Sequence, residues 1–100
     1  MLVVFLACVW APPAWGDGAE LFAQHCAGCH LHGGNIIRRG KTLKLAALAR
    51  NGINNPAAIA QIAAEGIGQM DGYATVLGEG GPEAVAAWVW DQAQNAWIQG

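Results

Sequence analysis

Apolar residues recur along this chain at helical spacing, and no segment alternates as a half-buried strand would. Gly18, Phe22 and Cys26 repeat every four residues and share one helix face. Asp17, with Glu20 three positions on, makes a capping-box pattern with aspartate as the cap. That helix is predicted to run to about Leu31. Glycine beside Phe22 predicts a close crossing by another helix. A second helix is predicted over 42–51 from Leu43, Ala46, Ala47 and Arg50, with Leu45 and Leu48 widening its apolar face and Gly52 as its stop. Asn55 followed by Pro56 reads as the cap and first turn of a third helix. Its buried stripe is Ile59, Ile62 and Ala63, and Gly66 ends it. The last helix opens at Gly81-Pro82 and should reach about Trp97, with Val85, Trp88, Val89 and Gln92 on one face. Trp88 is the natural partner for Gly18 and Phe22. The class is therefore all-α, with about four helices and glycine-rich loops over 32–40 and 66–73.

One hundred residues bound this to a single domain. Leu2–Trp10 is a short apolar run, and Ala14 and Gly16 then give the small-x-small pattern of a signal-peptidase site. Residues 1–16 are read as a cleaved signal peptide, and 17–100 as the mature domain. The absence of Lys or Arg before the apolar run is atypical for a leader. The run is too short to span a bilayer, so no stable membrane insertion is expected. All charged side chains fall in 17–100: five basic and seven acidic, for a formal net charge of −2. With no basic stripe, nucleic acid is excluded as a partner. A domain this small has a marginal core of its own.

The chemistry concentrates in Cys26-Ala27-Gly28-Cys29-His30. Two cysteines three apart and an immediate histidine read as a c-type haem attachment site. The thiols add across the two haem vinyl groups, and the next residue offers an imidazole to the iron. A zinc site would want a second pair of ligands, and the only other cysteine, Cys8, lies in the leader. A thioredoxin-like pair would want a preceding strand. A structural disulfide would leave His30 unexplained. In proteins of this kind the second imidazole nitrogen of the proximal histidine donates to a backbone carbonyl, which is expected from the 32–40 loop. Met70, the only methionine besides Met1, sits in the second glycine-rich loop. It is the candidate sixth ligand, a soft thioether that raises the reduction potential. His25 and His32 are rivals but flank His30 on the same segment, and read as partly exposed surface residues. Arg38, Arg39 and Lys41 lie either near the haem propionates or on a solvated basic corner. A buried haem would supply much of the apolar core, so the apoprotein is expected to be poorly folded.

Taken together, Gly18-x-x-x-Phe22-x-x-x-Cys26-Ala-Gly-Cys29-His30, Gly33-Gly34-Asn35, Lys41-Thr42-Leu43, the Met70 loop and Val85 to Trp97 resemble class I cytochromes c, most closely cytochrome c6. The resemblance implies a small fold of four helices around one covalent haem c, tethered by Cys26 and Cys29, with His30 and Met70 as axial ligands. It implies a soluble one-electron carrier, exported to a thylakoid lumen or periplasm. Its implied partners are the cytochrome bf complex and photosystem I or a terminal oxidase. Two positions depart from the family pattern. Asp71 replaces the usual proline after the methionine, and Val76 stands where an arginine associated with photosystem I docking is usual. A haem sensor of the same fold, or a periplasmic carrier outside photosynthesis, are the alternative readings. An enzyme is not expected, because peroxidase-like chemistry needs an open iron and a distal acid–base residue, and no histidine lies on the distal segment.

Overall fold

The computed structural model describes residues 14–98, with side chains from Gly18 onward. The expected leader lies outside the described residues, apart from Ala14–Gly16. The first helix, α1 (Ala14–His25), is already under way at Ala14, three residues upstream of the expected cap at Asp17. The helix expected to reach Leu31 is found in two pieces, α1 and the one-turn α2 (Ala27–His30). Cys26 marks the break, at φ −120° and ψ −31°. The hydrogen-bond ladder bends there rather than ends. Cys26 N–H donates to Phe22 O at 2.9 Å, and His30 N–H to Cys26 O at 3.0 Å.

Two 3₁₀ turns follow, Leu31–Gly33 and Arg39–Lys41. Helix α3 (Leu45–Arg50) starts later than the expected 42–51. Thr42 is extended, at ψ 169°, and the Leu43 amide is committed to Gly33 O at 2.7 Å. That non-local bond outweighs the local helical preference. Leu43 reaches the core from outside the helix. Ala47 and Leu48 are buried, whereas Leu45 and Ala46 face solvent.

Helix α4 (Pro56–Glu65) matches its sequence signals at both ends. Asn55 Oδ1 accepts from Ala58 N–H at 2.8 Å, Pro56 occupies the first turn, and Gly66 closes the helix at φ +82°. Ile59, Ala60 and Ala63 are buried, and Ile62 is half-buried. A two-residue antiparallel hairpin follows, β1 (Gly66–Ile67) with β2 (Met70–Asp71), pairing Gly66 with Asp71 and Ile67 with Met70. Strands this short carry no readable alternation. One further turn of helix, α5 (Ala74–Leu77), leads to α6 (Gly81–Gln94).

Helix α6 stops three residues short of the expected Trp97. Ala96 and Trp97 instead adopt left-handed φ values of 57° and 58°, and Trp97 N–H donates back to Gln92 O at 2.8 Å. The turn folds the indole into the interior. The core lies where α1 and α4 pack on α6. Gly18 makes the first crossing possible: a Cβ there would collide with Ala84 O and approach Trp88 Cβ at 2.9 Å. Phe22, Trp88 and Trp97 complete it, with ring centroids 4.9–5.5 Å apart. Such pairs add about 0.5–1.5 kcal/mol each beyond area burial. The expected Phe22–Gly18–Trp88 contact is present as predicted. No described helix is long and apolar enough to cross a membrane.

Candidate haem site

Cys26, Cys29 and His30 sit on the bent segment that continues α1, so their relative positions are set by helical hydrogen bonds. Cys26 and Cys29 are not joined to each other in a disulfide: Cys26 is half-buried against the core and Cys29 is exposed. Burial, and next the charge of Cys29, push the Cys26 thiol above its ordinary range. Among the described residues, no cluster of three or more His, Cys, Asp or Glu side chains is placed to hold a metal ion.

His30 is half-buried, and its Nδ1 lies 2.7 Å from Gly34 O. A carbonyl oxygen can only accept, so Nδ1 is the donor and Nε2 is the ring nitrogen left uncommitted. The expected carbonyl thus comes from the predicted loop. It is held from two sides. Gly34 N–H donates to Leu31 O at 2.9 Å, and neighbouring Gly33 O accepts from Leu43 at 2.7 Å. Gly33 has φ +77°, and a Cβ on it would strike the Trp97 ring at 2.5 Å. Trp97 Nε1 in turn donates to Leu43 O at 3.1 Å. This relay from Trp97 through Leu43 and Gly33 to the His30 acceptor is built from contacts distant in sequence, and spacing alone gives no hint of it.

Met70 comes from a different element and is half-buried. The hairpin that carries it folds onto the end of α4. Tyr73 N–H donates to Ala63 O at 2.8 Å. A Cβ on Gly66 would meet Met70 O at 2.5 Å, and one on Gly72 would meet Ala64 O at 2.5 Å. These glycines let backbone lie against backbone, which fixes the Met70 position. Arg38 Nη1 reaches Gln69 Oε1 at 3.5 Å and links the loop after His30 to the hairpin. His25 is half-buried at the end of α1 and His32 is exposed in the turn after His30. Leu31, Ile36 and Ile67 are 61%, 73% and 60% exposed on the segments that bear His30 and Met70. Two cysteines outside any disulfide, a singly committed imidazole, a thioether and uncovered apolar side chains together fit a covalently held porphyrin.

Comparison with known proteins agrees. The family described as cytochrome c oxidase, cbb3-type, subunit III matches residues 13–89. A cytochrome c6-like protein of Nostoc sp. (strain PCC 7120) is 40% identical over 98 residues, covering 94% of this chain and 88% of the relative. The chain belongs to the cytochrome c6 family. Among solved structures, cytochrome c6B from Synechococcus sp. WH8102 is 66% identical with a TM-score of 0.82, covering 85% of this chain and 97% of that one. Oxidized cytochrome c6A from Arabidopsis thaliana is 31% identical with a TM-score of 0.78, covering 89% and 99%. The all-α cytochrome c fold read from the sequence is the fold found. As a cytochrome c6-type protein the chain carries one covalently bound haem c, transports electrons and is not an enzyme.

Proposed function

We propose that this chain is a one-electron carrier whose haem is tethered through the Cys26 and Cys29 sulfurs and held axially by His30 Nε2 and the Met70 thioether. Bound there, the haem supplies a single reversible ferric–ferrous electron step. The observation that carries this reading is the 2.7 Å bond from His30 Nδ1 to Gly34 O. Such a bond fixes the tautomer, aims the free nitrogen and raises ligand basicity. The glycine-packed hairpin holds the Met70 backbone in one place, so little ordering is needed when the oxidation state changes. Exposed Asp71 puts a negative charge beside this ligand. It stabilises the ferric state and lowers the potential by an amount that salt screens.

Replacing Met70 with alanine is expected to lower the midpoint potential by on the order of 0.1 V or more, within the span of about 0.8 V that axial ligands set in haem proteins. An unchanged potential removes Met70 from the iron. We further place the mature protein, residues 17–100, in a thylakoid lumen or periplasm. Amino-terminal sequencing of the exported protein should read Asp17 first. The cytochrome bf complex as donor, with photosystem I or a terminal oxidase as acceptor, is the partner set for such a carrier. A high potential suits photosystem I. A value some tenths of a volt lower, in line with Asp71 and Val76, suits a chain outside it.

A further inference from the structure

All five cations of this chain, Arg38, Arg39, Lys41, Lys44 and Arg50, lie between residues 38 and 50. None of the seven acidic residues falls between Glu20 and Glu65. A protein of net charge −2 thus carries its whole positive charge on one short stretch. All five side chains are exposed. Among the described residues, two of them make side-chain hydrogen bonds, both to neutral partners, Arg38 to Gln69 at 3.5 Å and Lys41 to Asn51 at 3.0 Å. These bonds position the charges without neutralising them. The backbone beneath is pinned. Asn35 Oδ1 accepts from Ile37 and Arg38 N–H at 2.9 and 2.8 Å, Asn35 Nδ2 donates to Lys41 O, and Asn51 Nδ2 donates to Gly40 O, both at 3.0 Å. Ile36 and Ile37 stand at its start, 73% and 58% exposed.

We infer that residues 36–50 form the docking face for a protein partner that presents a cluster of carboxylates. This rests on the electron-carrier reading and names the partner's chemistry. Two haem propionates, if both lay against this stretch, would offset only two of the five cations. The remaining charge steers an acidic surface toward the loop that follows His30 and, through the Arg38–Gln69 contact, toward the hairpin that holds Met70. Opposite local charges raise the encounter rate even when the net charges repel. Exposed apolar side chains beside a cationic cluster suit a small interface that releases quickly. Exposed Asp71, on the same hairpin as Gln69, suits a patterned protein surface better than a uniformly anionic lipid layer.

The test is voltammetry of the holoprotein on gold coated with carboxylate-terminated or amine-terminated monolayers, from low to high ionic strength. The expected result is a reversible wave on the carboxylate surface that fades as salt rises. The triple variant Arg38→Gln/Arg39→Gln/Lys44→Gln should bind that surface about tenfold or more weakly, given the contribution of each cation near an anionic surface. Glu79→Gln/Glu83→Gln should bind as the wild type does. Arg38 also touches Gln69, so Arg39→Gln/Lys44→Gln separates charge from loop position and should still weaken binding. Preference for the amine surface, which net charge alone demands, overturns the inference, as do charge variants that bind like the wild type. Co-sedimentation with phosphatidylglycerol vesicles at physiological salt, lost in the triple variant, overturns the protein partner in favour of a membrane. A wild-type holoprotein with its haem spectrum but no reversible wave on either surface overturns the carrier reading itself, and the docking face with it.

Discussion

At the scale of single residues, Trp97 carries more than its apolar area. Its ring closes the Phe22–Trp88 cluster, and its Nε1–H holds the carbonyl of Leu43, whose N–H in turn bonds Gly33, the neighbour of the residue that meets His30. Trp97→Phe keeps a ring but strands that carbonyl, at a cost of about 1–3 kcal/mol. The expected outcome is that loss in denaturant titration, together with faster hydrogen exchange at the Leu43 amide. Trp88→Phe should lose stability while leaving Leu43 protected. Much of this scale was legible in the sequence: the motif at 26–30, the lone Met70, and the loop that would meet His30. Which carbonyl it would be was not. Nor was the left-handed backbone at Ala96 and Trp97, because φ near +57° for a side-chain-bearing residue is disfavoured locally and is held here by burial of the ring.

At the scale of elements, the crossing of α1 and α6 turns on Gly18. Gly18→Ala gains about 1 kcal/mol of helix propensity but forces a methyl into Ala84 O and Trp88 Cβ. Overpacking of this kind costs about 1–3 kcal/mol, and more against rigid backbone, so the steric term wins. Thermal denaturation should show a lower Tm for the variant. Asn55→Ala removes the one side-chain cap of α4 and should cost about 1 kcal/mol by the same measurement. Helix α4 was readable from end to end because its signals, Asn55-Pro56 and Gly66, act within a turn of where they stand. Helix α3 was not, because its start depends on the Leu43–Gly33 bond. The hairpin and α5 are shorter than the window over which periodicity becomes visible.

At the scale of the whole molecule, the core is small, and Leu31, Ile36 and Ile67 are left exposed on the segments that bear His30 and Met70. A chain that cannot attach haem, Cys26→Ala/Cys29→Ala, is expected to lose the near-ultraviolet circular dichroism of its packed tryptophans while keeping part of its helix content. Wild-type dichroism in that variant would mean that α1, α4 and α6 suffice alone. The partner of α1 is α6, which lies beyond every other element in the chain. The Cys26–His30 segment is the direct continuation of α1, and the surface on which α1 packs is missing until the last helix of the chain has been made. Haem joined at Cys26 and Cys29 as proposed would thus find its attachment segment accessible before the final packing of α1 on α6.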